Sequence, residues 1–142
     1  MLKTKIAVFV SGGGTNLQAL LDAQAEGKLQ DGQIVLVLSS NPGAYALQRA
    51  EKAGVSSVTV SRKDSASQAE FEAAISRELE NAGIEMIVLA GFMSILSADF
   101  TARWEKRIIN VLWRRHSHCD KKHSIKNLRI QKHGKIRLNQ TF

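Results

Sequence analysis

The chain has 142 residues, of which 44% are hydrophobic, and it contains one cysteine. This length corresponds to a single domain that is large enough to bury a core. One cysteine cannot form an intramolecular disulfide, which excludes a disulfide-stapled secreted fold and agrees with a reducing compartment. The apolar run 6–10 is too short for a signal segment or a membrane span, so we expect a cytoplasmic protein that does not engage a membrane.

The net charge of +7 is concentrated in the C-terminal part of the chain. Residues 1–110 hold eleven Lys and Arg against twelve Asp and Glu, whereas residues 111–142 hold nine against one. All four histidines and the cysteine also lie in the second part. This change of composition predicts a folded domain over 1–111 and a separate basic tail over 112–142.

Residues 5–21 indicate a strand, a glycine loop and a helix. The apolar, β-branched run 6–10 precedes three glycines at 12–14, and apolar residues recur at helical spacing from Asn16. Glycines let the backbone approach a ligand, and a helix N-terminus offers unpaired N–H groups with a partial positive charge. We therefore expect a small anion such as phosphate here. A tight turn that binds nothing is the alternative, which the entropic cost of three glycines disfavours.

The residues around the glycines narrow the class of phosphate ligand. A P-loop requires Lys and then Ser or Thr after its last glycine, but Thr15 and Asn16 follow Gly14. A dinucleotide fold requires a third glycine where Leu17 stands, and an acidic residue where the second strand ends in Ser-Ser-Asn at 39–41. A phosphosugar therefore fits better than a nucleoside triphosphate or a nicotinamide cofactor.

Helices and strands alternate along residues 1–111. Strands are predicted over 6–10, 34–38, 55–60, 86–89 and 107–111, and helices over 16–26, 44–53, 68–82 and 98–104. This alternation with apolar strands predicts an α/β fold, a Rossmann-like parallel sheet with helices on both faces that stops after about five strands. The last strand would then form an exposed edge, which invites either aggregation or the formation of a homodimer.

The carboxyl ends of parallel strands mark the expected ligand rim. The glycine loop, the loop 90–96 and Asn110 all lie at such ends in the predicted sheet. The loop 91–96 is unusually apolar, which fits either a connection packed on the core or a ligand pocket, and its position favours the pocket.

Three segments lie where three of the predicted strands end: VSGGGTNLQA at 10–19, LAGFMSILS at 89–97 and RIINV at 107–111. Together they resemble the phosphoribosylglycinamide formyltransferase family of purine synthesis. Each motif alone is of moderate specificity, but three in register over about the first 111 residues are specific. The resemblance implies transfer of a formyl group from 10-formyltetrahydrofolate, as cosubstrate, to the amine of glycinamide ribonucleotide, with no metal.

The resemblance also assigns roles to individual residues. The ribonucleotide phosphate would be held by Gly14, Thr15 and Asn16, mostly through backbone N–H groups. The folate site would be lined by Met93, Ser94, Ile95 and Leu96. Asn110 would donate its carboxamide N–H to the oxyanion of the tetrahedral intermediate, which makes it the expected catalytic residue.

The chain departs from the family pattern at two places. The family has an arginine in the loop before the third helix, where Gln68 aligns here. After Asn and Ile or Val the family continues with His-Pro-Ser, whose histidine transfers the proton, and it later supplies an aspartate that orients this histidine. Leu112-Trp113-Arg114 stands in place of His-Pro-Ser, and the aspartate is also absent from its motif position. We therefore expect little or no transformylase activity.

The basic tail 112–142 shows no clear strand alternation and admits several interpretations. A change of reading frame near codon 111 is favoured, and a nucleic-acid-binding arm is the functional alternative. A zinc site is disfavoured because its donors do not follow a familiar spacing; these are His116, His118, Cys119 and His123. Beside the transformylase, a non-catalytic phosphosugar- or nucleotide-binding module and an RNA-binding protein remain open.

Overall fold

The structure is a computed structural model that describes residues 3–29, 31–112 and 129–131. The strands are β1 (Thr4–Val10), β2 (Gly32–Ser39), β3 (Ser56–Thr59), β4 (Met86–Leu89), β5 (Ile108–Leu112) and β6 (Arg129–Gln131). The helices are α1 (Thr15–Ala25), α2 (Tyr45–Lys52), α3 (Gln68–Ala82) and α4 (Ala98–Arg103), with a short 3-10 turn at Arg62–Asp64. Every helix and strand predicted within 1–111 is present.

The strands form one sheet in the order β3-β2-β1-β4-β5-β6. Strands β1 to β5 are parallel, and β6 runs antiparallel to β5. From β1 the chain builds outward to β2 and β3 on one side, and later to β4 and β5 on the other. The strand order therefore reverses between β1 and β4, which is where open α/β sheets bind their ligands. The Rossmann-like prediction is confirmed.

The sheet is covered on both faces by apolar side chains from the helices. On one face, Leu17 and Leu21 of α1 and Ala46 of α2 pack with Val8 and Val10 of β1. The opposite face is covered by α3 and α4 through a second cluster, which includes Phe9, Phe71, Ile75, Leu79 and Phe100. Alternate residues of β1 therefore pack against the helices on opposite faces of the sheet, as strand geometry requires.

One prediction about the strands is wrong, and the sheet gains a strand beyond residue 111. Strand β3 is not apolar: Ser56, Ser57 and Thr59 are exposed, because β3 is an edge strand that packs only through Val58. The segment predicted as a tail contributes one short strand to the sheet, since Arg129–Gln131 pairs with β5. That pairing covers the β5 edge, so an exposed fifth strand gives no reason for the predicted homodimer, which stays a prediction.

Among the described residues, none of the helices combines the length and apolar character needed to cross a membrane.

Candidate active site

The glycine loop packs tightly against α2 at one position. Gly14 has φ +76° and stands immediately before α1. A Cβ at Gly14 would lie 2.7 Å from the Cβ of Ala46 and 2.9 Å from its Cα. Both the left-handed backbone and the close approach therefore require glycine here. By contrast, a Cβ at Gly12 or Gly13 would meet no heavy atom within 4 Å, so this side of the loop is open.

The N-terminus of α1 is uncapped and open. No side chain accepts a hydrogen bond from its first turn, and the first backbone bond runs from the Gln18 N–H to the Gly14 carbonyl at 2.8 Å. The backbone N–H groups of Thr15 and Asn16 therefore have no partner within the described residues. Thr15 is exposed and Asn16 is half-buried. Such a terminus combines free donors with the positive end of the helix dipole, which suits an anion.

The loop after β4 is divided between the core and the surface. Phe92 is buried against Phe9, with ring centroids 5.3 Å apart and planes tilted by 58°. Met93 and Ile95 are 61% and 68% exposed, although both are large apolar side chains. Leu96 is half-buried against the core. The loop thus anchors itself through alternate residues and leaves an apolar surface at the carboxyl end of the sheet.

Ser11 connects the glycine loop to the loop after β4. Its buried hydroxyl accepts a hydrogen bond from the Met93 N–H at 2.8 Å and also bonds the hydroxyl of Ser40, which follows β2. One side chain therefore joins the carboxyl ends of β1, β2 and β4. The relative position of the two candidate ligand loops is set by this contact.

Helix α3 holds the other end of the apolar loop. The side-chain Nε2 of Gln68 donates to the Ile95 carbonyl at 2.8 Å. The Glu72 carboxylate accepts from both the N–H and the hydroxyl of Ser97, each at 2.6 Å. Ser97 in turn caps α4 by accepting from the Phe100 N–H. Arg62 donates to Gln68 from the turn before α3, so a guanidinium does lie at this loop, although Gln68 occupies the arginine position of the resemblance.

We expect Glu72→Ala to lower the free energy of unfolding by about 1.5–3 kcal/mol, because it removes two charge-assisted hydrogen bonds at a half-buried site. Urea unfolding measures the change. Glu80→Ala is the matched control, since it removes the same charge from an exposed position of the same helix and is expected to alter stability by less than about 0.5 kcal/mol. Equal effects of the two substitutions would refute the role given to Glu72.

Asn110 lies at the same height in the sheet as the ends of its neighbours. It is the parallel partner of Leu89 in β4, and Leu89 is the partner of Phe9 in β1. Asn110 shares its face of the sheet with Ile108, which packs in the layer that also contains Phe92 and Leu96. Its side chain is half-buried, and no hydrogen bond to it occurs within the described residues. The carboxamide is therefore on the face that carries the apolar loop.

The fold brings the sequence-predicted site residues to one edge of the sheet. The glycine loop and the loop 93–96 follow the central strands β1 and β4. Asn110 was predicted at the carboxyl end of the fifth strand, but β5 continues to Leu112, so Asn110 lies in mid-strand, level with the last residue of β4. Ser11, Arg49 and Glu72 were missed, since their roles depend on contacts between distant segments. The four residues of the disfavoured zinc site lie outside the described residues, which themselves contain no cluster of His, Cys, Asp and Glu able to hold a metal.

Residues 4–112 match the family model described as formyl transferase. The chain is 45% identical over 112 residues to the trifunctional purine biosynthetic protein adenosine-3 of Drosophila melanogaster, a match that covers 77% of this chain and 8% of that protein. It is 39% identical over 107 residues to the phosphoribosylglycinamide formyltransferase of Haemophilus influenzae, covering 75% of this chain and 50% of that enzyme. The chain therefore spans half the length of that enzyme and a small part of the trifunctional protein.

A solved structure shows the same arrangement of elements. Glycinamide ribonucleotide transformylase 1 from Geobacillus kaustophilus superposes with a TM-score of 0.74 at 37% identity, over 78% of this chain and 58% of that one. The family match covers most of the chain and includes both candidate ligand loops and Asn110. The chain therefore belongs to the formyl transferase family.

Proposed function

We propose that this chain binds glycinamide ribonucleotide and 10-formyltetrahydrofolate as the phosphoribosyl-binding half of a phosphoribosylglycinamide formyltransferase. The observation that carries the proposal is the open glycine loop at the α1 N-terminus, placed beside an exposed apolar loop where the strand order reverses. The names of the similar enzymes support the choice of substrate. The half would comprise residues 1–111, followed by a basic tail over 112–142 that adds the short strand β6 to the sheet.

The phosphate of the ribonucleotide is held at the glycine loop in this proposal. Gly14, Thr15 and Asn16 supply backbone N–H groups, which suit a dianion because they are unpaired and lie at the positive end of α1. The Thr15 hydroxyl is exposed and adds one more donor. A phosphosugar needs no Lys at such a site, because the backbone supplies the donors.

The folate cosubstrate is assigned to the loop after β4. Met93 and Ile95 offer exposed apolar surface to a flat heterocycle, with Leu96 beneath them and Ser94 between them. Exposed apolar side chains of this size at a strand's carboxyl end favour a ligand over solvent. Because Ser11 bonds Met93 N, the folate loop and the phosphate loop are held at a fixed separation.

Asn110 is the proposed catalytic residue. When the substrate amine attacks the formyl carbon, negative charge develops on the carbonyl oxygen. A carboxamide N–H in the middle of β5, level with the last residue of β4 and on the face of the folate loop, can stabilise that charge. A non-catalytic phosphosugar-binding module remains the second candidate, since Leu112 occupies the position of the family's proton-transferring histidine.

Calorimetric titration tests the proposal. We expect the chain to bind glycinamide ribonucleotide at least about tenfold more tightly than the riboside that lacks the phosphate, because charge-assisted hydrogen bonds to the loop are then lost. Ribose 5-phosphate serves as the control for the phosphosugar part alone. Equal affinity for ribonucleotide and riboside, or no binding of either, would contradict the proposal.

A further inference from the structure

Arg49 of α2 contacts the glycine loop, although it is not among the residues assigned to ligand binding above. Its Nε donates to the Gly13 carbonyl at 2.7 Å, and its Nη1 donates to Gln18 Oε1 at 3.2 Å. The guanidinium carbon lies 4.9 Å from the centroid of the Tyr45 ring, which supports it from the side. One half-buried side chain therefore joins the loop, the first turns of α1 and the start of α2.

These contacts determine which way the loop amides point. The Gly12 carbonyl accepts a hydrogen bond from the Ala46 N–H at 3.1 Å, and the Gly13 carbonyl accepts one from Arg49. The C=O and N–H of a trans peptide point in opposite directions, and no peptide among the described residues is cis. Both carbonyls face α2, so the N–H groups of Gly13 and Gly14 face away from it. Successive amides directed to one side form an anion-binding concavity.

We propose that Arg49 is a positioning residue of the anion site: it holds the Gly13 carbonyl toward α2 and thereby directs the Gly14 N–H toward the bound phosphate. This inference rests on the proposed function, because it assumes that the phosphate binds at the open side of the loop. The neighbouring carbonyl of Gly12 is held by a backbone donor and would stay in place without Arg49. The Gly14 amide is therefore the group whose direction depends on this side chain.

Substitution by lysine distinguishes a positioning role of Arg49 from a role as a simple source of positive charge. Lysine keeps the charge but cannot donate to Gly13 and Gln18 through a planar fork. We expect Arg49→Met to weaken binding of inorganic phosphate about tenfold, and Arg49→Lys to recover only part of that loss. At about 0.5 M salt the attraction of a distant charge is largely screened, whereas the loss of a directed amide persists.

The experiment is a phosphate titration of the full chain followed by amide NMR, with thermal unfolding of every variant. In the unsubstituted chain, phosphate is expected to shift the amide signals of Gly13, Gly14, Thr15 and Asn16. In Arg49→Met the Gly14 shift is expected to be lost, whereas the Asn16 shift remains. Arg77→Met removes an exposed charge from α3 and is the control, expected to bind phosphate like the unsubstituted chain.

Each outcome decides the question. Unchanged affinity and an unchanged Gly14 shift in Arg49→Met would overturn the role of Arg49 but leave the proposed function standing. Full recovery of affinity by Arg49→Lys while the Gly14 shift stays lost, or a deficit that disappears at high salt, would show a charge effect and also overturn it. If Arg49→Met is unfolded, the folded Arg49→Lys variant still tests the Gly14 shift. If the unsubstituted chain binds neither phosphate nor ribonucleotide, both proposals fail together.

Discussion

Gly14→Ala is expected to lower the free energy of unfolding by about 2–5 kcal/mol and to abolish phosphate binding. The left-handed backbone costs a non-glycine residue about 1–2 kcal/mol, and insertion of a methyl group into packed surroundings adds about 1–3 kcal/mol. Here the new methyl would lie 2.7 Å from the Ala46 Cβ and 2.9 Å from its Cα, and backbone cannot move aside as a flexible side chain would. To relieve the clash, the loop would have to move away from α2. This movement would also displace the backbone N–H groups that the phosphate site requires.

Gly12→Ala is the matched control for this prediction. It adds the same methyl to the same loop, but no heavy atom lies within 4 Å of the new Cβ, and Gly12 does not have a positive φ. We expect its stability to change by less than about 1 kcal/mol, because alanine also reduces the entropy of the unfolded chain. Urea unfolding of both variants measures the difference. Similar destabilisation by the two substitutions would mean that the contact with Ala46 does not decide the loop's conformation.

Most of the fold within 1–111 could be predicted from local sequence. Gly83 ends α3 in a left-handed conformation with φ +66°, and Ser97 caps α4, as their positions after and before apolar periodic runs indicate. The strands β1, β2 and β4 are buried on both faces, so their continuous apolar runs gave a clear signal. The residues that cap or end the helices, together with the pattern of apolar residues, were sufficient to predict these elements.

The contacts that organise the site could not be predicted in this way. Arg49 and Gly13 are 36 positions apart, and Glu72 and Ser97 are 25 apart. A half-buried arginine or glutamate on a helix has the same local pattern whether its charged group faces solvent or a backbone carbonyl. Strand β6 escaped prediction for a related reason, since three residues show no periodicity and their pairing with β5 is a long-range event.

The second large effect concerns catalysis. We expect the chain to bind glycinamide ribonucleotide but to transfer the formyl group at least about 10²-fold more slowly than a full-length relative, because general acid–base catalysis is typically worth 10²–10⁴. Asn110 can stabilise the oxyanion, but a carboxamide does not remove the proton from the attacking amine. Leu112 follows Val111 where the resemblance places the histidine, and leucine has no titratable group.

A formyl-transfer assay with 10-formyltetrahydrofolate measures this deficit, and two variants separate its causes. Leu112→His is expected to raise turnover, since it returns an imidazole to the position two residues after Asn110. Asn110→Ala in that background is expected to lower it again by about 10²-fold, the usual cost of losing one oxyanion donor. Turnover of the unsubstituted chain comparable to that of the Haemophilus influenzae enzyme would refute the deficit. If Leu112→His shows no turnover but still binds the ribonucleotide, an imidazole at this position does not suffice for proton transfer. The non-catalytic binding module then becomes the better account of the chain.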